Sequence, residues 1–293
     1  MESNLKRNRK GQTEEEFLAA YHPGNYERPS VTADILLFTI DDIKEGTALV
    51  PDKELKLLLV KRRDHPFIYR WAIPGGFVDI RESIEEAAYR ELKEETNVEN
   101  VYVEQLFTWG DVDRDPRMRV ISVSYMALIP KNSVHPKAGD DAAETAWFTV
   151  RKNKLMDLSE TKSAWMLSLE SEDKQVKIAY HVTQEGNEVT LTPFDGCGEV
   201  LAFDHAKIVN LALDRIRNKV EYTTIAFHLM PEKFTLTQLQ KVYETLLGKT
   251  LYKANFRKKI APMVLKTEEY TDEARHRPSQ YYRVNTGYQA TYS

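Results

Sequence analysis

Glutamates stand at positions 91, 94 and 95 in a stretch that reads as a helix over 83–96, so three carboxylates share one arc of about 100°. Ser83 and Glu86 form the spacing of a capping box that opens this helix. One and two turns earlier the same arc carries Ile84, Ala87 and Ala88. A stripe that faces the protein at the helix start therefore becomes carboxylate at its end. Like charges at i, i+4 repel by roughly 0.2–0.5 kcal/mol per pair, and burial adds a desolvation cost unless a cation compensates. A hard divalent ion such as Mg²⁺ or Mn²⁺, held by oxygen ligands, is the natural compensation.

The wider segment runs Gly76, five residues, Glu82, seven residues, then Arg90-Glu-Leu-Lys-Glu-Glu-Thr-Asn-Val98. Pro74-Gly75-Gly76 supplies a tight loop where backbone approaches a ligand closely. This run resembles the box of the Nudix hydrolase superfamily at every defined position except Asn97, which stands where the family has its second glycine. Asparagine tolerates the left-handed backbone that follows a helix better than other non-glycine residues. The resemblance implies an α/β/α sandwich with a mixed sheet, and metal-dependent hydrolysis of a nucleoside diphosphate linked to another group. Carried over by position, Glu91 and Glu95 are the main metal ligands, Glu94 and the Gly75 carbonyl assist, and Glu82 completes the acidic set. Arg90 orients the carboxylates by an ion pair. In related ADP-ribose pyrophosphatases the general base lies on a loop outside the box, which makes Asp140, Asp141 and Glu144 the candidates.

Two further segments, Lys61-Arg-Arg-Asp-His-Pro66 and Asp113-Arg-Asp-Pro-Arg117, resemble the ADP-ribose-handling branch. Arg114 and Arg117 are expected to contact phosphate or ribose, and Trp109 or Phe107 to stack on adenine or to serve as core.

At 293 residues the chain is long enough for two domains. Its 42 % hydrophobic and 29 % charged residues exclude disorder and a fibrous repeat. No apolar run approaches the ~18 residues of a membrane span. The first residues, Met-Glu-Ser-Asn-Leu-Lys-Arg, lack the apolar stretch of a secretory signal. A single cysteine, Cys197, permits neither an internal disulfide nor a cysteine-based zinc site. The expectation is a soluble, cytoplasmic protein without a membrane partner.

A capping box at Thr13–Glu16 predicts a short helix to about residue 21. Strands are expected at 31–40, 55–62, 101–109, 120–129 and 145–150. A hairpin is expected across 175–182 and 188–191, in a region near 155–200 that reads as an insertion. From residue 203 the apolar period becomes helical, so the sandwich is assigned to 1–204 and a second domain to 205–293. In that domain a capping box at Thr235–Gln238 opens a helix to about residue 247, and a second helix spans about 251–261. Phe256 and Ile260 form its inner face; Lys253, Asn255, Arg257, Lys258 and Lys259 are left outside. Strands at 263–265 and 281–284 complete the order of a winged helix-turn-helix.

From Pro231 onward there are eleven basic and six acidic residues, a net of +5 against −9 for the remainder, which hints that this end meets polyanions. The segments 202–208, 234–244 and 255–259 are similar to the C-terminal domain of the Nudix-related transcriptional regulators of NAD metabolism. That similarity implies duplex DNA as partner of the five polar residues on the second helix, and a homodimer reading two half-sites; a winged helix used for protein contacts is the other reading. Taken together, a divalent-metal-dependent hydrolase of ADP-ribose or a related compound with a DNA-binding winged helix is expected, the alternative being a regulator whose Nudix domain binds its ligand without hydrolysing it.

Overall fold

The computed structural model describes residues 6–22, 24, 27–43, 50–96, 101–131, 142–271 and 278–288, with backbone alone at 95, 96 and 142. Helix α1 (Glu14–Ala20) is closed by the expected capping box, Thr13 and Glu16 each accepting from the other's backbone N–H. Strands β1 (Ser30–Asp42), β2 (Lys53–Arg62), β3 (Trp71–Ala72) and β4 (Gly75–Phe77) precede helix α2 (Ile84–Thr96). Ser83 and Glu86 cap α2 in the same reciprocal way. Then come β5 (Val103–Trp109), β6 (Val120–Leu128), β7 (Ala142–Asp157), β8 (Lys162–Ser171), β9 (Val176–Glu185) and β10 (Glu188–Pro193).

These strands make one mixed sheet in the order β10-β9-β8-β7-β2-β1-β6-β5, with β3 on β2 and β4 on β1. β1 and β6 pair in parallel. Alternation along β1 divides the core in two. Ala33, Ile35 and Leu37 face Ala87, Ala88 and Leu92 of α2. Leu36, Phe38 and Ile40 face the opposite way.

That opposite face is covered by helix α3 (His205–Lys219), which contributes Ile208, Val209, Ala212 and Ile216. The same apolar cluster runs on into the C-terminal elements: β11 (Phe234–Thr235), α4 (Leu236–Leu247), α5 (Lys253–Ile260), β12 (Val264–Tyr270) and β13 (Gln280–Val284). α4 begins with the Thr235–Gln238 capping box and ends at Gly248 in the left-handed conformation, φ 65°. β11, β13 and β12 form a small antiparallel sheet. Helix, turn, helix and hairpin is the winged-helix order expected.

The middle of the chain differs from the sequence-based expectation in two ways. β7 continues seven residues beyond 150, and β8, absent from the expected strands, pairs with both β7 and β9. The hairpin about Gly186 is as expected, but it is the end of a continuous four-stranded extension of the main sheet. α3 packs both on the sheet, where Asp214 and Lys219 pair with Lys152 of β7 and Glu104 of β5, and against α4. Among the described residues, no helix is long and apolar enough to cross a membrane.

Candidate functional site

β4 and α2 bring the box together. The cross-strand partners of Gly75 and Gly76 on β1 are Asp34 and Ala33. The fit leaves no room for side chains: a Cβ on Gly75 would lie 2.4 Å from the Ala33 carbonyl oxygen, and one on Gly76 would lie 2.1 Å from Glu91 Oε1. Glu91 is thus pressed against the loop that carries the Gly75 carbonyl. Its carboxylate is buried, and that burial pushes its pKa up, as do the neighbouring Glu94 and Asp34, while Arg90 acts in the opposite direction.

Arg90 is the hub. Its guanidinium donates to Glu82 at 2.7 and 3.1 Å, to Glu91 at 2.7 Å and to the Phe77 carbonyl at 3.1 Å, and lies 3.5 Å from Glu94. Glu82 also accepts from the Asp79 amide at 2.8 Å. The Arg90 bond and then the Asp79 amide hold the Glu82 carboxyl down at about 2. Glu94 is exposed. Glu95 continues α2, and its side chain lies outside the described residues.

Sequence reasoning missed Asp34. It is buried on β1, accepts a hydrogen bond from Ser122 Oγ, and acts electrostatically on both Glu91 and His205. The signal was present, because an aspartate inside the apolar run 31–40 has to be buried or mark a break. His205, also buried, accepts from the Ile73 amide through Nδ1 at 2.9 Å. Burial pushes its pKa down to about 4.

The residues expected to hold substrate are distributed differently. Arg114 forms a two-point pair with Asp204 (2.7 and 3.1 Å) and its side chain is only 5 % exposed, so its fork is engaged by protein. Arg117 pairs with buried Asp115 at 2.8 and 3.1 Å while its guanidinium lies 5.4 Å from the Phe77 ring centre. Trp109 donates to Ser124 at 2.9 Å and packs on the sheet core, with Phe107 edge-on and exposed beside it. A cleft of about 470 Å³ opens between Phe67 and Phe203 on one side and the loop 111–116, including Arg114, on the other. Of the three base candidates, Asp140 and Asp141 lie outside the described residues. Glu144 sits on β7 and is paired with Lys174 at 3.3 Å.

A divalent ion suits this donor set. Carboxylate and carbonyl oxygens are hard ligands, and Glu91 is a buried carboxylate pushed toward neutrality beside further negative charge, with one arginine shared among three glutamates. Among the described side chains no group of three potential ligands is preassembled.

On the basic helix, Phe256 and Ile260 are buried and Lys253, Asn255, Arg257 and Lys258 are exposed, as expected. Lys259 makes an additional contact. It is exposed like the other four, and its ammonium also donates to the Glu221 carbonyl at 2.6 Å and lies 5.9 Å from the Tyr243 ring centre, which ties α5 to the chain just after α3.

Sandwich, glycine loop and arginine-bridged acidic helix together define a Nudix fold joined to a winged helix. The family model for the NUDIX domain matches residues 46–168, and that for the NrtR DNA-binding winged helix domain matches 226–284. The ADPR responsive transcriptional repressor NtrR of Acinetobacter baylyi is 30 % identical over 274 residues, 92 % of this chain and 88 % of that one. The crystal structure of a MutT/nudix family protein from Enterococcus faecalis is similar with TM-score 0.68 and 31 % identity, over 94 % of each chain. Shewanella oneidensis NrtR complexed with a 27mer DNA gives TM-score 0.57 and 29 % identity, over 87 % of this chain and 93 % of that one. The chain belongs to the NrtR family of Nudix-related regulators.

Proposed function

We propose that this protein binds ADP-ribose in its Nudix domain, reads duplex DNA with α5, and retains metal-dependent hydrolysis of the ADP-ribose pyrophosphate. The observation that carries the hydrolytic part is the Glu91 carboxylate, buried against Gly76 and shared with Arg90, in a box that keeps all four glutamates. Merely gripping a ligand does not require like charges to be crowded in this way. A Mg²⁺ or Mn²⁺ ion held by Glu91, Glu94, Glu95 and the Gly75 carbonyl supplies neutralisation of the pyrophosphate and acidification of a water. Glu82 keeps Arg90 fixed, and Arg90 donates to Glu91, opposes the upward push of burial on its pKa and directs it at the Gly75–Gly76 loop. Arg117 and the Phe67–Phe203 cleft orient the nucleotide; the general base is assigned to the 140–144 segment.

For DNA, Lys253, Asn255, Arg257 and Lys258 project from α5 toward the major groove, and the hairpin of β12 and β13 lies along the backbone. Two half-sites read by two copies give a homodimer. The Nudix unit extends through α3, and the winged helix follows it. A second reading, ligand sensing without hydrolysis, is favoured by the description of the Acinetobacter relative as an ADP-ribose-responsive repressor.

A hydrolysis screen over ADP-ribose, NAD-type dinucleotides and nucleoside triphosphates, with Mg²⁺ or Mn²⁺, separates the two. It is run beside gel retardation of duplex DNA with and without ADP-ribose. Retardation that responds to ADP-ribose without turnover establishes the sensor. Turnover without any retardation removes the DNA-binding half of the proposal.

A further inference from the structure

Asp204 and Lys207, at the start of α3, line the cleft beside the loop 111–116, and Glu221, just past the other end of α3, touches the basic helix. At the cleft end, Asp204 holds Arg114, His205 accepts from the amide of Ile73 two residues before Gly75, and Lys207 pairs with Asp111 at 3.1 Å. At the far end, the Glu221 carbonyl accepts from Lys259 of α5, and the Glu221 carboxylate pairs with Lys249 at 3.0 Å. Fifteen residues of α3 span about 22 Å between these ends. In the middle, Asp214 holds Lys152 of β7 at 2.6 Å, the lysine side chain being only 2 % exposed.

We propose that α3 couples occupancy of the cleft to the orientation of α5, and that the Arg114–Asp204 pair is its trigger. This rests on reading the cleft as the ADP-ribose site and α5 as the DNA-reading helix. The physical reason is competition for one guanidinium. Arginine binds phosphate oxygens through the same two-point fork that it offers a carboxylate. A pyrophosphate entering the cleft draws Arg114 from Asp204, and the first turn of α3 loses its buried tie to the loop 111–116, keeping only the exposed Lys207–Asp111 pair. The buried Lys152–Asp214 pair pins the middle of the helix, so the first turn's displacement reaches Glu221 as tilt rather than sliding. Lys259 carries that tilt to α5. Differential affinity of the ligand for the two arrangements is what shifts their populations, and the coupling is reciprocal: DNA that selects one orientation of α5 changes ADP-ribose affinity by the same factor.

The test combines calorimetry with hydrogen exchange of the α5 amides in the full chain, using ADP-ribose as probe at concentrations that saturate each protein. In the wild type, ADP-ribose is expected to change α5 exchange severalfold. Asp204→Asn, which weakens the pair before ligand arrives, is expected to show the changed exchange without ligand and little further response. Arg114→Lys keeps the cation, loses the fork and is expected to behave likewise, which guards against a folding defect in either variant. Should ADP-ribose bind the wild type yet leave α5 unchanged, or should both variants respond as the wild type does, the coupling is wrong while the ligand site stands. Absence of any calorimetric binding by the wild type instead overturns the ADP-ribose reading and takes the coupling with it.

Discussion

The carboxylate of Glu91 fills the space that a side chain on Gly76 would need, with Oε1 2.1 Å from where the Cβ would stand. Helix α2 and the loop that supplies the Gly75 carbonyl are therefore matched to each other at atomic contact. Gly76→Ala must push the carboxylate aside, since the three atoms nearest that Cβ all belong to the Glu91 carboxyl group. A misplacement of about 1 Å at a catalytic group costs on the order of 10²-fold in rate. The expected outcome is a turnover loss of that size on ADP-ribose, with an unchanged circular dichroism spectrum and melting temperature; full activity in the alanine variant contradicts the role given to Glu91 beside Gly76.

A pH dependence of stability follows from His205. Its pKa in the folded chain is pushed down to about 4 from an ordinary 6.5 because the ring is buried. Between those values the unfolded chain binds a proton that the folded chain does not, so stability is full above pH 6.5 and is lost as pH falls toward 4. The shift corresponds to roughly 3 kcal/mol. Urea denaturation should show this decline in the wild type, and His205→Asn, which keeps a hydrogen-bond acceptor without the titration, should flatten it between about pH 6.5 and 4.5. Below that range Glu82 adds its own loss, as its stabilising ionisation disappears between an ordinary 4.5 and about 2.

Much of this was legible in the sequence because the informative patterns are local. Three capping boxes, the alternation of Ala87, Ala88 and Glu91 on one arc, and the buried pair Phe256 and Ile260 each depend on spacing within one helix, and the structure reproduces them. What escaped is what depends on tertiary partners. The extension of β7 contains Lys152, a lysine at an inward position, which hides the strand until Asp214 of α3 is seen to neutralise it. β8 buries Leu167 and Leu169 among polar and half-buried neighbours, too thin an apolar signal to read alone. Arg114 and Lys259 have the residue type and spacing of anion-binding groups, yet Asp204 and the Glu221 carbonyl, ninety and thirty-eight positions away, occupy them.

Electrostatics should govern DNA binding. Each neutralised phosphate releases counterions, so affinity should fall steeply with salt. Replacing Arg257 and Lys258 with alanine should lower the log–log salt slope by roughly 0.9 for each phosphate left without its cation, leaving hydrolysis as in the wild type because α5 belongs to the winged helix and α2 to the Nudix fold. An unchanged slope in a binding-competent variant removes these residues from the interface.

Light scattering tests the two-copy arrangement. A mass twice the 33.9 kDa of one chain at micromolar concentration is expected. A single-chain mass throughout that range counts against paired half-site reading.

Turnover of ADP-ribose by wild type, Glu91→Gln and Glu95→Gln, each at saturating ligand with Mg²⁺, bears on the central claim most directly. Both substitutions keep side-chain shape and remove a charge that a hard cation needs. Wild type is expected to cleave the pyrophosphate to AMP and ribose 5-phosphate, and each variant to lose about 10²-fold or more while still folding. Equal turnover by all three proteins, or none by the wild type with any divalent ion, would contradict the account.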